Sequence, residues 1–331
     1  MQVLVTGGTG FIGSRLALRL LREGHKVRVM GLGNNSAEEE NRALLEREGS
    51  EIMLGSVTDA QVTAAVTRDV EVVFHLAAAQ HEMGVLDSHF SNVNVEGTRR
   101  VLEAAAGAGV RRFVHGSTIG VYGSAVGGEI DESTPAAPDN IYGTTKYEGE
   151  KLALSWNARL PVTAVRISET YGPSDRRLLK LFKAIQKGMF IMIGQGINHH
   201  QPIYVDDLAE GLWQAALSDE ARGKAWILAG AEALTTNQMV LTIARTLGHS
   251  GRVLRAPMWP FMAAAAACEY TLRPVGIQPP IHRRRMDFFR KSYRFSILNA
   301  RGAFGFDPQT SFEEGVARTV EWYRWHGDLQ G

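Results

Sequence analysis

The stretch Val3-Leu4-Val5-Thr6-Gly7-Gly8-Thr9-Gly10-Phe11-Ile12-Gly13 decides how the rest of this sequence is read. Three apolar strand formers run into a glycine cluster, and Ser14 to Arg22 then sets Leu16, Leu20 and Leu21 on one side of a helix. Strand, glycine turn and helix is the setting in which such glycines hold a dinucleotide. Gly8, Gly10 and Gly13 satisfy G-x-G-x-x-G, while Gly7, Gly10 and Gly13 satisfy the G-x-x-G-x-x-G variant. Gly7 and Gly8 permit a tight turn, Gly10 lets backbone amides approach a pyrophosphate, and Gly13 brings the helix against the strand. The phosphates then sit at the positive end of that helix, with Phe11 and Ile12 among the cofactor-binding residues. A plain turn would also explain glycines here, but their place after the first strand favours nucleotide binding.

Outward from this stretch, strands and helices alternate. Lys26 to Met30 reads as a second strand, residues 37 to 48 as a helix and Glu51 to Leu54 as a short strand. Val70 to Ala79 reads as a buried strand whose small final residues let a flat cofactor lie against the backbone. Asn92 to Ala108 carries Asn94-Val95-Glu96-Gly97-Thr98 and then a helix, Arg112 to His115 is a strand running into Gly116-Ser117-Thr118, and Pro161 to Ile167 is another. This alternation predicts an α/β fold, a doubly wound parallel sheet of the Rossmann type.

Beyond Tyr171-Gly172-Pro173 the character changes. Leu178 to Gln186 is amphipathic, Gly194 to Gln201 is a loop, Tyr204 to Leu217 is a helix, and Ala225 to Leu228 can return to the sheet. From Leu234 onward, short helices, prolines and loops predict a smaller C-terminal substrate lobe. The expected division is 1–170 as the dinucleotide-binding domain, with 202–230 packing back on it, and 171–201 with 231–331 as the lobe. Ser311 and Glu314 predict a capping box for a terminal helix through Trp325.

The 331 residues can bury a large core, and the formal charge of +1 signals no nucleic acid or membrane surface as a partner. One cysteine, Cys268, excludes an internal disulfide and suits a reducing, cytoplasmic setting. A first strand at Val3 is expected to leave no room for a signal peptide. The longest apolar stretch, Trp259 to Cys268, contains Pro260 and is too short to span a bilayer. His75, His81, His199 and His200 lack metal spacing, and His81-Glu-Met-Gly-Val lacks the second histidine of H-E-x-x-H, so no catalytic metal is expected.

An NAD-binding chain usually ends its second strand with Asp or Glu, which holds the ribose hydroxyls. Here Gly31 follows, then Leu32-Gly33-Asn34-Asn35-Ser36. No acid repels a 2′-phosphate and no arginine stands nearby to pair with one, so NAD and NADP both stay open.

Tyr142-Gly-Thr-Thr-Lys146 carries the chemistry. At i and i+4 of a helix the phenol and the ammonium share a face. A tyrosine titrates near ~10 unless a cation stabilises the phenolate, and Lys146 supplies one. Tyr147-Glu-Gly-Glu-Lys151 has the same spacing but is turned by roughly 140° about the helix, so only one pair can serve. Tyr147 and Lys151 are expected in packing or on a solvated face.

The chain resembles an extended short-chain dehydrogenase/reductase, the group that holds nucleotide-sugar epimerases, dehydratases and 3β-hydroxysteroid dehydrogenases. The resemblance rests on TGGTGFIG at 6–13, HLAA at 75–78, NVEGT at 94–98, GSTIGVYG at 116–123, YGTTK at 142–146, YGP at 171–173 and YVDDLA at 204–209. It implies Tyr142 as the acid/base, Lys146 as its partner and ribose contact, and Thr118 as the hydroxyl that bonds the substrate oxygen. It further implies Ser117 at the nicotinamide site, Ile167 among the cofactor-binding residues, Asn94 near the cofactor, Leu76, Ala77 and Ala78 as the adenine–ribose wall, and a homodimer through the Asn94–Ala108 and Tyr142–Trp156 helices. Ser56 and Val57 stand at the adenine contact, where relatives often carry Asp first; here Asp59 comes later.

Ile119-Gly120 replaces the Asp-Glu that eliminates water in dehydratases, which argues against dehydration. Glu169 replaces an asparagine that lies beside the substrate diphosphate in sugar epimerases, and His200 stands where those enzymes often carry arginine. Pro257 to Cys268, His282-Arg-Arg-Arg-Met-Asp-Phe-Phe289, Arg294-Phe-Ser-Ile297 and Trp322-Tyr323 follow the steroid-dehydrogenase branch. The expected activity is NAD(P)-dependent hydride transfer at a secondary alcohol or ketone carbon of a small molecule. A nucleotide-sugar 4-epimerase or ketoreductase is marginally preferred; the alternative is a 3β-hydroxysteroid-like dehydrogenase acting on a sterol or hydroxylated lipid. A nucleotide-sensing regulator is the remote third reading, since the catalytic set is intact.

Overall fold

The computed structural model describes residues 1–80, 85–124, 128–249, 253–272 and 286–330. The His81 stretch and the Arg283–Arg285 run singled out above lie outside them. Seven parallel strands form the central sheet: β1 (Gln2–Thr6), β2 (Lys26–Gly31), β3 (Glu51–Leu54), β4 (Val72–His75), β5 (Arg112–Thr118), β6 (Val162–Ile167) and β7 (Ala225–Leu228). Their order is β7-β6-β5-β4-β1-β2-β3, so the chain starts at the centre and winds outward both ways. The direction reverses between β1 and β4, and a ligand crevice opens at such a switch point. Because both faces are covered, the strands read as continuous apolar runs: Val3, Leu4 and Val5 are all fully buried.

The helices are α1 (Phe11–Arg22), α2 (Ser36–Arg47), α3 (Ala60–Val66), α4 (Asp87–Ser91), α5 (Thr98–Gly107), α6 (Ile141–Ser155), α7 (Leu179–Gln186), α8 (Val205–Leu217), α9 (Thr236–Thr246), α10 (Met258–Leu272), α11 (Asp287–Arg290), α12 (Leu298–Phe304) and α13 (Phe312–Trp325). On one face, α1 and α8 bury Leu16, Leu20, Leu212 and Trp213 with Val3 and Phe74. On the other, α5 and α6 bury Val101, Leu102 and Ala153 with Leu4, Phe113 and Val162. A third cluster joins α7, α9 and α13 through Phe182, Val240, Ile243, Val320 and Tyr323. Residues beyond 290 do not all stay with that third cluster: Tyr293, Phe295, Ile297, Ala300 and Phe306 pack into the α1–α8 side of the sheet.

Three local expectations change. β4 ends at His75 rather than Ala79, because Asn94 captures the chain that follows: its side chain accepts from Ala79 N at 2.8 Å and donates to Ala79 O at 3.2 Å. Within the expected loop 194–201, His199–His200 form a short strand antiparallel to Leu234–Thr235. The box at Ser311 is half made: Ser311 Oγ accepts from Glu314 N, while the Glu314 carboxylate turns to Arg318 instead. A complete capping box stands at α9, where Thr235 and Gln238 exchange both bonds.

Two histidines are sealed in the sheet. His75 bonds Thr6 Oγ1 at 2.8 Å and Thr98 Oγ1 at 2.9 Å. His115, its ring 5.6 Å away on β5, has no hydrogen-bond partner for either nitrogen among the described residues. Burial, reinforced by the Lys146 cation, holds both rings well below the ordinary imidazole range, His75 to about 3. As pH falls below 6.5 the unfolded chain takes up protons that the native rings refuse. Each therefore removes about 1.4 kcal/mol of stability per pH unit. His115→Phe deletes one of these terms together with two unpartnered nitrogens, so urea melts of the variant should lose less stability than the parent between neutral and mildly acid pH; equal losses would refute the account.

Candidate active site

The glycine turn is set by backbone contacts too close for any side chain. A Cβ on Gly13 would lie 2.3 Å from Gly7 O, and one on Gly7, whose φ is +68°, would lie 2.7 Å from Ala77 N. Gly10 is the N-cap of α1 and no side chain caps this helix or places an acid in its first turn. By contrast α2, α3 and α6 are capped by Asn35, Asp59 and Asn140. The first amides of α1, at Phe11 to Gly13, are thus left for a phosphate, which fits a dinucleotide. Arg177, whose guanidinium lies 5.2 Å above the Phe11 ring, adds a cation beside the turn that the sequence reading did not single out.

The strand ends that follow form the wall of the crevice. Leu76, Ala77 and Ala78 are half-buried after β4. A Cβ on Gly116 would meet Leu76 at 2.8 Å and Ile167 at 3.6 Å, so these two side chains flank the end of β5. Asn94 is fully buried and also donates to Thr145 Oγ1 at 3.0 Å, so it braces the wall against α6. Ser56 bonds Thr58, and Val57 packs against Gly97. Asp59 caps α3 rather than facing the crevice.

Gly31 has a physical cause. A Cβ there would lie 2.1 Å from Thr9 Oγ1, and Thr9 is buried in the turn with its carbonyl bonded by Asn41. The place of the usual acid is filled by a threonine from the phosphate turn.

Tyr142 and Lys146 both lie in α6, which begins at Ile141 because Asn140 accepts from Gly143 N. Lys146 is buried and its Nζ donates to Gly116 O at the end of β5. Burial lowers its pKa to about 8, opposed by Glu150 one turn on. Thr118 Oγ1 accepts from Gly120 N at 3.1 Å. A Cβ on Gly120 would lie 3.4 Å from Thr118 Oγ1 and 3.9 Å from the Tyr142 ring, so the hydroxyl and the ring flank one residue. Lys151 instead stacks over the Tyr147 ring at 4.8 Å, on another side of the helix.

The sequence reading missed Glu150. It lies four residues after Lys146, so the 142–146–150 spacing was its signal. Its carboxylate accepts from Ser117 Oγ at 2.6 Å and from Arg166 Nη2 at 2.7 Å. Arg166 also donates to Tyr122 Oη at 2.7 Å. Burial holds that phenol up at about 12, so Tyr122 stays protonated. Ser117 thus faces a buried ion pair beneath the site, behind Thr118.

Glu169, two residues beyond β6, is paired. His200 Nδ1 stands 2.9 Å from its carboxylate, and Nε2 faces Thr236 Oγ1 at 3.1 Å and Phe288 O at 3.0 Å. Burial alone would lower the imidazole, but Glu169 and the Phe288 carbonyl prevail and raise its pKa. A groove of about 610 Å³ lies alongside, lined by Ser124, Glu129, His199, Arg290, Lys291 and Arg294 among others. Lys291 bonds Asp139, three residues before Tyr142.

A parallel sheet in this order, with an uncapped glycine turn at its switch point and a Tyr–Lys helix beside it, defines an NAD(P)-dependent enzyme of the extended short-chain dehydrogenase/reductase type. The chain belongs to the NAD dependent epimerase/dehydratase family, whose model matches residues 3–229. It is 29% identical to a dTDP-glucose 4,6-dehydratase of Streptomyces niveus, over 98% of this chain and 93% of that protein. It is 31% identical to a 2-alkyl-3-oxoalkanoate reductase of Stenotrophomonas maltophilia, over 96% and 98%. A 3 beta-hydroxysteroid dehydrogenase/Delta 5-->4-isomerase of Mycobacterium tuberculosis is 29% identical, over 97% and 90%. The crystal structure of UDP-glucose 4-epimerase from Thermotoga maritima with UDP-glucose shares the fold, with a TM-score of 0.80 at 24% identity over 98% and 99% of the two chains.

The ion pair under the site should be costly to break from one side. Arg166→Met strands the buried Glu150 carboxylate and is expected to lose about 3–5 kcal/mol in denaturant melts. Adding Glu150→Gln should restore part of it; a single variant as stable as the parent would show that the pair is solvated.

Proposed function

We propose that this enzyme is an NAD(P)-dependent dehydrogenase or ketoreductase acting on a secondary alcohol or ketone, and that it works as a homodimer through α5 and α6. The observation that carries the reaction is the approach of Thr118 Oγ1 and the Tyr142 ring to the single residue Gly120. The Thr118 oxygen is already engaged by Gly120 N–H, so its own hydrogen is available to a substrate oxygen. Tyr142 holds the same oxygen and takes or returns its proton. Lys146 stabilises the phenolate and orients the cofactor ribose. The uncapped amides at the start of α1 would hold the pyrophosphate of a nicotinamide dinucleotide, which when bound would supply the hydride chemistry. Glycine at 120 leaves the dehydratase acid with no counterpart.

The Glu169–His200 pair supports a substrate without a diphosphate at that position. A carboxylate there opposes phosphate oxygens, and its imidazole partner is spent on it. A hydroxylated lipid, sterol or oxo acid suits this cleft. The second reading, a nucleotide-sugar 4-epimerase, is favoured by Arg290 and Arg294 in the adjoining groove.

Thermal shifts with NAD, NADP, uridine and thymidine diphosphates, sterols and long-chain hydroxy acids test the choice. Stabilisation by a cofactor and by a sterol or hydroxy acid is expected, and stabilisation by a nucleoside diphosphate alone would select the epimerase. Tyr142→Phe should then lose turnover by at least about a hundredfold with cofactor binding kept.

The pH profile reports on Lys146. Alcohol oxidation should fall above pH about 8, where the buried ammonium loses its proton. Lys146→Arg keeps the charge and should move the alkaline limb upward at reduced kcat; an unmoved limb would assign it to another group.

A further inference from the structure

Two charged side chains of α6 leave water, and the reaction described above uses only one of them. Lys146 and Glu150 are 2% and 1% exposed and lie one turn apart on the same face of the helix. On a solvated helix a charge pair of this spacing matters little, because water and salt screen it; with both groups buried that screening is gone. The Glu150 carboxylate is also fixed in place. Its Oε2 accepts from Ser117 Oγ at 2.6 Å and from Arg166 Nε at 3.1 Å, while Oε1 accepts from Arg166 Nη2 at 2.7 Å. Arg166 Nη1 donates to Tyr122 Oη, whose ring lies 5.1 Å from the guanidinium.

Lys146 and Glu150 reach consecutive residues of one strand. Lys146 Nζ donates to Gly116 O, and Glu150 receives the hydroxyl of Ser117, the next residue of β5. Thr118, which follows, ends the strand. The other titratable groups around Lys146 do not supply a negative charge. His75 on β4 and His115 on β5 stay neutral, through burial and through the ammonium itself. Arg166 on β6 is a second cation, and Tyr142 is the phenol one turn before Lys146. Among the described residues Glu150 is the acid whose charge favours the ammonium, against the burial that disfavours it.

We propose that Glu150 is a positioning residue for the reaction: its clamped carboxylate keeps Lys146 charged and, through Ser117, steadies the end of β5 that carries Gly116 and Thr118. It touches neither substrate nor cofactor and acts through these three residues. Arg166 holds the carboxylate still, so the field at Lys146 has a fixed direction. The sign follows from the charge: a neutral residue at 150 leaves burial unopposed, and the ammonium then gives up its proton at lower pH. The inference rests on the role given to Lys146 above.

The test is an NMR titration of the full chain, free of cofactor, with lysine isotopically labelled at Cε and the Lys146 signal assigned by its loss in Lys146→Arg. The parent midpoint is expected at pH about 8. Glu150→Gln should lower it by about one pH unit, whereas Glu150→Asp, which keeps the charge, should move it by less than about half of that. Glu150→Gln combined with Arg166→Met strands no buried charge, and it should lower the midpoint as well. A midpoint that stays in place in this folded double variant would reduce Glu150 to packing and overturn the proposal. The pH profile of alcohol oxidation separates this result from the reading of Lys146. A midpoint that moves while the alkaline limb does not would uphold the hold of Glu150 on Lys146 and overturn the assignment of the limb.

Discussion

A buried ammonium organises the centre of this protein. Lys146 leaves water entirely, and the cost of burying a charge is offset only where fixed groups face it. The Gly116 carbonyl accepts a hydrogen bond from its Nζ, and Glu150 stands one helical turn further on. Glu150 in turn is clamped by Arg166 and Ser117, so α6, β5 and β6 meet around one buried carboxylate whose charge also reaches Lys146. The same charge reaches the histidines behind it. His75 and His115 stay neutral because burial and Lys146 act in the same direction.

Much of this was legible in the sequence, and for physical reasons. Strands covered on both faces must be apolar throughout, so Val3-Leu4-Val5 and the later runs announce themselves. Backbone approach closer than a Cβ allows leaves only glycine, which is why the turn at 7–13 could be read residue by residue. The Tyr142–Lys146 pair followed from helical spacing, and the same spacing, carried one step further, leads to Glu150. What stayed hidden depended on tertiary partners. Nothing local in Asn94 says that it holds the chain after β4, and nothing in Gly31 says that Thr9 fills the space beside it. The short strand at His199–His200 was invisible because its partner lies more than thirty residues away.

The two halves differ in how their specificity is built. Around the cofactor, specificity comes from backbone shape: turns, uncapped amides and small residues. On the other side of the Tyr142 helix start, side chains neutralise one another instead, as Glu169 does with His200 and Asp139 with Lys291. The first kind tolerates little change, since each contact is backbone against backbone. The second is readily exchanged, and the relatives match this: 29% and 31% identity links proteins named for quite different substrates.

The contact between Gly31 and Thr9 constrains how cofactor choice could evolve. An acidic side chain cannot be introduced at the end of β2 by one substitution, because its first carbon would enter the space of a threonine from the neighbouring turn. Residue 9 must first become small, and only then can residue 31 grow. Positions 9 and 31 are therefore joined by a steric latch, and a larger residue at one calls for a smaller residue at the other.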